Sequence, residues 1–326
     1  MSEHGIDLVA DIGATKSRFA LVGADGAIAQ LRVFGTADYL HIADAIKAYA
    51  LQAAPSQTLR NAVLAVACPV SGDKISLVNH PWAFSTAELR QQLGLRQVRV
   101  INDFTAVALA VPKLKSPEFI QIGPGSPVAG NPIGVIGPGT GLGVSGLIPA
   151  GGGWIPLQSE GGHVTLAPAN VRESEVLNLI RCRLDHVSTE RLVSGPGLVN
   201  LYRALCELDG VPAASFSPAE IADPLVGMKD TRALEAVKMF CAMLGTAAGN
   251  LALTLGAQGG IYIAGGIVPG LGANFQRSTF RQAFEGKGRF QDYLLKIPTY
   301  VITRPLPALL GAAYLLERGD FQEARD

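Results

Sequence analysis

Short apolar runs alternate with helix-like stretches along the 326 residues of the chain. A short apolar run bounded by turn residues predicts a buried strand. Such runs lie at residues 6–10, 18–22, 62–68, 98–101, 133–136, 144–148 and 261–264. Helical composition or spacing is found at residues 43–53, from Thr105, and at 198–208, 233–255 and 308–317. This alternation predicts an α/β protein built around sheets.

The stretch 233–255 has the most regular helical pattern. Its apolar residues recur every three or four positions, which is the spacing of one helix face. We expect that face to be core: Leu234, Val237, Phe240, Leu244, Ala247, Ala248 and Leu251. This helix predicts no functional site.

Composition then narrows the class of protein. Lys plus Arg equals Asp plus Glu at 27 each, so no overall field favours nucleic acid or an anionic membrane. The four cysteines are far apart and form no C-x-x-C pair, which argues against a zinc knuckle or a disulfide framework. The first residues lack a signal-peptide pattern, and no uninterrupted apolar run is long enough to span a bilayer. We therefore expect a cytoplasmic protein without a membrane partner.

Glycine-rich turns supply the first candidate chemistry. The strand at 6–10 ends at Asp11, and Gly13-Ala14-Thr15 forms a tight turn before the next strand. Backbone N–H groups and a hydroxyl in such a turn can bind phosphate oxygens, and a nearby carboxylate can hold Mg²⁺ through water. An ordinary hairpin turn would explain the same residues, because Asp and Gly favour turns for conformational reasons.

A second turn, at residues 137–143, has four glycines in seven residues between two strands and is a good phosphate cradle. The G-x-G-x-x-G match at 141–146 is not a dinucleotide fingerprint, because a strand rather than a helix is predicted after it. Gly265-Gly266 follows the strand at 261–264 and would allow close approach of a planar ring, or simply turn the chain.

Polar residues stand at three further places. Asn102 and Asp103 lie where the strand at 98–101 gives way to a helix, a position where open α/β sheets bind ligands. Glu160 and His163 flank two glycines, and Glu190 precedes a Gly-rich helix start. Glu160 and His163 could instead be a solvated acid and a satisfied histidine in an ordinary turn, and Glu190 an ordinary surface acid. The loop with Asn79, His80 and Trp82 suits either a sugar-binding edge or a packed tryptophan.

Together these segments resemble the actin, hexokinase and Hsp70 superfamily, and within it the bacterial glucokinases of the hexokinase type. The resemblance covers nearly the whole chain in the right order. It implies a two-domain actin-like ATPase (ribonuclease H-like) fold with a sugar/ATP cleft between the domains. Since a Pro/Gly-rich stretch follows residues 111–113, we expect a small domain at 1–112 plus 304–326 and a large domain at 113–303.

The resemblance also implies roles for individual residues. Asp103 would be the general base in transfer of phosphate from ATP to the 6-hydroxyl of glucose, and the sugar hydroxyls would be held by Asn102, Glu160, His163 and Glu190. Mg²⁺ would arrive with ATP, with no metal site on the protein beyond a water bridge to Asp11. Glucose, ATP and a second copy of the chain are the implied partners. The implied nucleotide-binding residues are Ala10, Asp11, Ile12, Gly13, Ala14, Thr15, Lys16, Gly139, Thr140, Gly141, Gly265 and Gly266.

Two departures from the family pattern bear on activity. Ala14 replaces the usual second glycine of the first turn, and it would be strained if that position needs a positive φ. Lys16 follows Thr15, as in the related ROK sugar kinases, but the Cys-rich zinc motif of those kinases does not occur. Two alternatives stay open: a kinase for mannose, fructose or an N-acetylated sugar, and a non-catalytic sugar-responsive regulator. No helix-turn-helix module or basic extension precedes Ile6, which we take as evidence against a regulator.

Overall fold

A computed structural model describes residues 5–78 and 80–319. The chain divides into two compact units. The first unit comprises Met1–Lys115 and Arg304–Asp326, and the second comprises Ser116–Thr303. Each unit has its own sheet and its own cluster of buried apolar side chains.

The sheet of the first unit is mixed. The strands of this unit are β1 (Gly5–Ile12), β2 (Lys16–Val22), β3 (Ile28–Gly35), β4 (Thr58–Val66), β5 (Lys74–Ser76), β6 (Ala83–Ser85) and β7 (Gln97–Asn102). The short strands β5 and β6 pair only with each other, and the other five form the sheet. The order is β3-β2-β1-β4-β7, in which β1, β4 and β7 run parallel. β1 and β4 are central, and the apolar runs that predicted them are buried because both of their faces are covered.

Three helices follow the strands of this unit: α1 (Ile42–Ala53), α2 (Thr86–Leu93) and α3 (Asp103–Ala110). In α1, Ile42, Ile46 and Tyr49 are fully buried and share one face of the helix. α3 is almost entirely buried after its first turn, which agrees with its apolar sequence. The predicted helices at 43–53 and from Thr105 are therefore confirmed.

The second unit repeats this plan. Its strands are β8 (Phe119–Ile122), β9 (Ile133–Pro138), β10 (Leu142–Ala150), β11 (Gly153–Leu157), β12 (Ile261–Ile263) and β13 (Thr299–Ile302). The order is β11-β10-β9-β12-β13-β8, with β9, β12 and β13 parallel. Both sheets thus have two antiparallel strands at one side, β3 and β2 or β11 and β10, followed by three parallel strands. In the second sheet, β8 adds an antiparallel strand at the other edge.

The second unit contains several short helices and one long one. They are α4 (Val171–Arg181), α5 (Gly195–Leu208), α6 (Pro218–Ala222), α7 (Pro224–Gly227), α8 (Thr231–Leu255), α9 (Ile267–Leu271), α10 (Ala273–Gln276), α11 (Phe280–Glu285) and α12 (Gln291–Leu295). Phe240, Leu244 and Ala248 of α8 are fully buried, as the sequence predicted. Leu234 is 41% exposed, and its assignment to the core is wrong. In the first turns of α8 the buried positions are taken instead by Ala233 and Ala236.

By length and composition alone, α8 is apolar enough to cross a bilayer, although no uninterrupted apolar run was found in its sequence. Over its most apolar window 56% of the helix is buried inside the protein. α8 packs against α5 and α11, so its apolar character is explained by its place in the core of the second unit.

The last helix, α13 (Pro307–Glu317), belongs to the first unit and packs against α3, β1 and β4. Its approach to α3 is close: a Cβ on Gly311 would overlap the carbonyl oxygen of Ala106. A glycine is needed here because two helix backbones are in contact. α13 therefore supports the helix that begins at Asp103.

The loop before α2 contains a packed tryptophan. Trp82 is 3% exposed, and its Nε1 donates a hydrogen bond of 3.0 Å to the carbonyl oxygen of Tyr39. The ring of His80 packs edge-on against Trp82. Of the two interpretations, packing rather than a sugar-binding edge accounts for Trp82. Asn79 lies outside the described residues.

Candidate active site

Asn102 and Asp103 join β7 to α3, and the two side chains have different local bonds. Asn102 is the N-cap of α3: its Oδ1 accepts hydrogen bonds from the backbone N–H of Phe104 at 2.8 Å and of Thr105 at 3.2 Å. Its Nδ2 donates to the carbonyl oxygen of Cys68 at 3.3 Å. These bonds satisfy two N–H groups that a helix start leaves without partners, and they fix the amide in one orientation.

Asp103 is the first residue of α3, and its Oδ1 accepts from the N–H of Phe104 at 2.9 Å. A carboxylate in the first turn of a helix is stabilised by the helix dipole, by about 0.3–1 kcal/mol at a partly exposed site. The β7–α3 junction thus places a carboxyl group at the end of a strand, oriented by the backbone that follows it.

The turn between β1 and β2 lies at the same edge of the sheet. The parallel strands pair Ile12 with Val66 and Val66 with Asn102, so these strands end at the same level. The turn of Gly13 to Thr15 and the Asn102-Asp103 pair therefore stand at one edge of the first unit, with β4 between them. The structure brings together the residues that the sequence predicted for this unit.

Asp11 is paired across this hairpin with Arg18. The Nη1 atom of Arg18 lies 2.9 Å from Oδ2 of Asp11, and the Asp11 side chain is 18% exposed. Burial raises the pKa of Asp11 above its ordinary value, and the charge and hydrogen bond of Arg18 oppose that rise. Arg18 therefore compensates a carboxylate that is expensive to bury.

The turn itself is held by the residue that follows β3. The N–H of Gly13 donates to the carbonyl oxygen of Lys16, and Oγ1 of Thr36 donates to the carbonyl oxygen of Gly13 at 2.8 Å. Among the described residues, the non-glycine residues with positive φ are Gln30 and Leu306, so Ala14 is not strained. The concern that an alanine at position 14 distorts the turn has no basis in its backbone conformation.

The nucleotide residues predicted around this turn fall into two groups. Ala10 and Ile12 are fully buried within β1, so their side chains face the core and only their backbone can contact a ligand. Thr15 and Lys16 are exposed. A hydroxyl and an ammonium group beside a tight turn can bind phosphate oxygens.

In the second unit, the turn between β9 and β10 consists of Gly139, Thr140 and Gly141. The N–H of Gly139 donates to the carbonyl oxygen of Gly141 at 2.8 Å, which closes a tight hairpin. β10 follows as a strand, which confirms that the G-x-G-x-x-G match does not open a helix. Thr140 is exposed at the tip.

The paired glycines after β12 lie beside this hairpin. Gly265 has φ of +84°, which favours glycine, and a Cβ there would overlap the carbonyl oxygen of Pro138 at the end of β9. Gly266 is the N-cap of α9, and a Cβ on it would meet nothing within 4 Å. The two glycine turns therefore share one edge of the second sheet and present backbone with little side-chain cover.

Glu160 precedes a single 3-10 turn, Gly161–His163, and His163 is its last residue. Their side chains are exposed, with Nε2 of His163 4.0 Å from Oε2 of Glu160. Gly161 packs on Val144, and a Cβ on Gly162 would overlap the carbonyl oxygen of Leu142. The glycines let this turn lie directly on the start of β10, which brings the acid and the imidazole next to the hairpin.

Glu190 lies in the 3-10 turn Thr189–Arg191, just before α5. Its Oε2 accepts a hydrogen bond of 2.8 Å from the N–H of Leu142, the first residue after the hairpin tip. In the second unit, the hairpin, the 160–163 turn and Glu190 thus meet at Leu142. Among the described residues, no three His, Cys, Asp or Glu side chains are grouped closely enough to hold a metal ion.

Sequence reasoning missed two of these contacts. Arg18 was treated only as part of a strand, although Asp11 and Arg18 are equally distant from the centre of the turn and must face each other in a regular hairpin. The bond from Leu142 to Glu190 joins positions 48 apart in sequence, and no local pattern indicates it.

The comparisons with known proteins agree with this arrangement. The family model described as Glucokinase matches residues 8–319. A glucokinase of Paramagnetospirillum magneticum is 52% identical over 310 residues, which cover 95% of this chain and 97% of that protein. A glucokinase of Aromatoleum aromaticum is 48% identical and covers 95% of this chain and 94% of its own length.

The structural comparison gives the same result for the fold. The crystal structure of a glucokinase from an Antarctic psychrotroph superimposes with a TM-score of 0.86 at 35% identity, covering 97% of this chain and all of that one. The predicted actin-like ATPase fold is therefore confirmed. Matches over nearly the whole length in family, sequence and structure leave one conclusion: this chain belongs to the glucokinase family.

Proposed function

We propose that the chain phosphorylates glucose at its 6-hydroxyl with ATP, giving glucose 6-phosphate and ADP. The observation that carries the mechanism is the carboxylate of Asp103, which begins a buried helix and is oriented by the N–H of Phe104. Two relatives at about half identity over nearly the full length of both proteins, each named glucokinase, support the reaction.

In this mechanism Asp103 takes the proton from the attacking hydroxyl. A positioned carboxylate of this kind typically contributes about 10²–10⁴-fold to the rate. Asn102 has its Oδ1 committed to the cap of α3, so it would contact the sugar through its amide N–H. Glu160, His163 and Glu190 would accept or donate hydrogen bonds to sugar hydroxyls.

The nucleotide phosphates would be held by backbone. Tight turns occur at Gly13 to Lys16 and at Gly139 to Gly141, and Gly265-Gly266 leaves room beside the second turn for the planar base. Since phosphoryl transfer needs little covalent chemistry from the protein, such turns do most of the positioning. Lys16 adds a positive charge that is exposed to solvent.

The chemistry of Mg²⁺, which neutralises charge on the β- and γ-phosphates, would be supplied with ATP. Asp11 fits this ion through a water rather than directly, because Arg18 already compensates its carboxylate at 2.9 Å. An acid that is partly buried and held in place orients such a water without competing strongly for the ion.

Sugar choice would come from the polar groups that bond the hydroxyls. A site built to hydrogen-bond a given hydroxyl can reject an analogue lacking it by about 10⁴-fold, because groups of the site are left unpaired. A kinase for another hexose keeps the fold and the same base, and a non-catalytic regulator keeps only the fold. The relatives and the unstrained turn at Ala14 favour the glucose kinase over both.

We propose further that the enzyme acts in the cytoplasm as a homodimer and feeds glycolysis, with no nucleic-acid or membrane partner. The balance of 27 basic and 27 acidic residues supports the absence of a polyanionic partner.

A coupled assay over a panel of hexoses and phosphoryl donors, with and without Mg²⁺, tests the proposal. We expect phosphorylation of glucose by MgATP, with at least tenfold lower kcat/KM for mannose, fructose and N-acetylglucosamine. Binding of glucose without turnover would favour the regulator, and a higher kcat/KM for another hexose would favour the other kinase.

A further inference from the structure

The Glu190 carboxylate is hydrogen-bonded to the phosphate hairpin, which we define as residues 139–142. Its Oε2 accepts from the N–H of Leu142 at 2.8 Å. An ionised acceptor makes a hydrogen bond roughly twice as strong as a neutral one. The residue proposed to hold the sugar therefore also holds one end of the turn proposed to hold phosphate.

The other end of the phosphate hairpin is held by the same segment. The N–H of Gly195 donates to the carbonyl oxygen of Gly139 at 2.8 Å. Ser194 links these two anchors: its Oγ donates to the carbonyl oxygen of Glu190 at 2.7 Å and accepts from the N–H of Gly197 as the N-cap of α5. Residues 190–195 and the hairpin thus form one hydrogen-bonded assembly.

Glycine at position 141 is what lets the carboxylate come this close. A Cβ on Gly141 would lie 2.5 Å from Oε2 of Glu190, well inside contact distance. A Cβ on Gly139, in the same hairpin, would meet nothing within 4 Å. Neither glycine has a positive φ, so alanine at either position differs only in what its methyl group touches.

We infer that Glu190 is a positioning residue for the phosphate hairpin as well as a sugar contact, and that it couples the binding of sugar and nucleotide. The inference rests on the proposed function. A hydroxyl that binds Glu190 orders a carboxylate whose other task is to hold Leu142, so each ligand prepares the hairpin for the other. Coupling is reciprocal, and it changes affinities by about 5–150-fold in typical cases.

The reciprocal effect gives the first test. Calorimetry would measure glucose binding without nucleotide for the wild type, Gly141→Ala and Gly139→Ala. We expect Gly141→Ala, whose methyl group would displace the Glu190 carboxylate, to weaken glucose binding about tenfold, and Gly139→Ala to leave glucose affinity within about twofold. Equal glucose affinity in the wild type and Gly141→Ala would overturn the coupling, and so would equal weakening by both alanines.

The second test runs in the other direction. Affinity for ATP without sugar would be measured for Glu190→Ala and for Glu160→Ala, whose side chain does not bond the hairpin. Glu190→Ala should weaken the binding of both ATP and glucose, whereas Glu160→Ala should weaken the binding of glucose alone. Unchanged ATP affinity in Glu190→Ala, with thermal stability retained, would overturn the positioning role.

A double variant separates coupling from general damage. Adding Gly141→Ala to Glu190→Ala should weaken glucose binding no further, because the alanine methyl group clashes only with the Glu190 carboxylate, which Glu190→Ala removes. An additive loss would contradict the inference. If the wild type binds no glucose, the proposed function itself fails; if it binds glucose and the variants show no cross-effect, only the coupling fails.

Discussion

In the first hairpin, Nη1 of Arg18 lies 2.9 Å from Oδ2 of Asp11, on the strand directly opposite. The acid that precedes the turn at Gly13 is therefore held by a cation of its own sheet. Burial raises the pKa of Asp11, and Arg18 works against that rise. The pair places a negative charge beside the turn at Gly13 without leaving it uncompensated.

Replacing Arg18 with Met should destabilise the first unit by about 1–3 kcal/mol, because a partly buried carboxylate loses its partner. The folded-state pKa of Asp11 is already raised, so ionisation on going to higher pH costs the folded state more than the unfolded one. The contribution of Asp11 to stability then falls as pH rises from its ordinary pKa of 3.8 through its raised folded-state pKa, and the fall should be larger in the variant. Urea unfolding at pH 5 and pH 8 would measure this difference. Arg32→Met, at an exposed position on β3, is the control, and an equal penalty at both pH values would contradict the account.

Asn102 is expected to serve both α3 and the sugar, and two substitutions separate these tasks. Asn102→Ser keeps an N-cap and removes the amide, whereas Asn102→Ala removes both. The alanine variant should be less stable than the serine variant by about 1 kcal/mol, the usual value of a cap. Both should show a raised KM for glucose. A serine variant with the wild-type KM would show that the amide does not contact the sugar.

Gly311→Ala should destabilise the protein by about 1–3 kcal/mol, since the new methyl group would overlap the carbonyl oxygen of Ala106 and push α13 from α3. Glycine to alanine in an unobstructed helix is normally favourable. Gly270→Ala in α9, where a Cβ meets nothing within 4 Å, is the matched control and should be neutral or slightly stabilising. Thermal unfolding of both variants checks this, and equal melting temperatures would refute close packing of α13 on α3.

The four cysteines form no disulfide and differ in exposure: Cys182 is exposed, and Cys68, Cys206 and Cys241 are buried. Burial raises the pKa of Cys241 to about 11, so roughly one in a thousand of these thiols is ionised at pH 8. Alkylation of the native protein with iodoacetamide should modify Cys182 alone before unfolding. Peptide mass spectrometry would detect this, and rapid labelling of Cys241 would contradict the packing of α8.

Local chemistry made most of the fold predictable. The strands β1, β4, β7 and β9 and the helices α1, α5 and α13 follow from apolar runs and from cap residues such as Ser194. Leu234 shows where the pattern fails. The sequence pattern assigns the buried face from large apolar residues, but the buried residues in the first turns of α8 are Ala233 and Ala236. Small residues carry little weight in such a pattern and yet allow the closest approach.

The candidate site was predictable as a set of segments, and its connections were not. Turn glycines and acids at strand ends are visible in the sequence because each is required locally. The bond from Leu142 to Glu190 depends on how β10 and the start of α5 come together, which is a property of the tertiary structure. The roles of Asp103, Glu160, His163 and Glu190 toward the sugar stay predictions.

The central claim is that Asp103 takes the proton from the sugar hydroxyl, and turnover of Asp103→Ala at saturating glucose and MgATP tests it most directly. Asp44→Ala is the matched control, because Asp44 is an exposed acid in the first turn of α1. We predict that kcat of Asp103→Ala falls by about 10²-fold or more. Glucose should still bind to this variant in calorimetry, and Asp44→Ala should keep wild-type turnover. Near-normal kcat in folded Asp103→Ala would contradict the account.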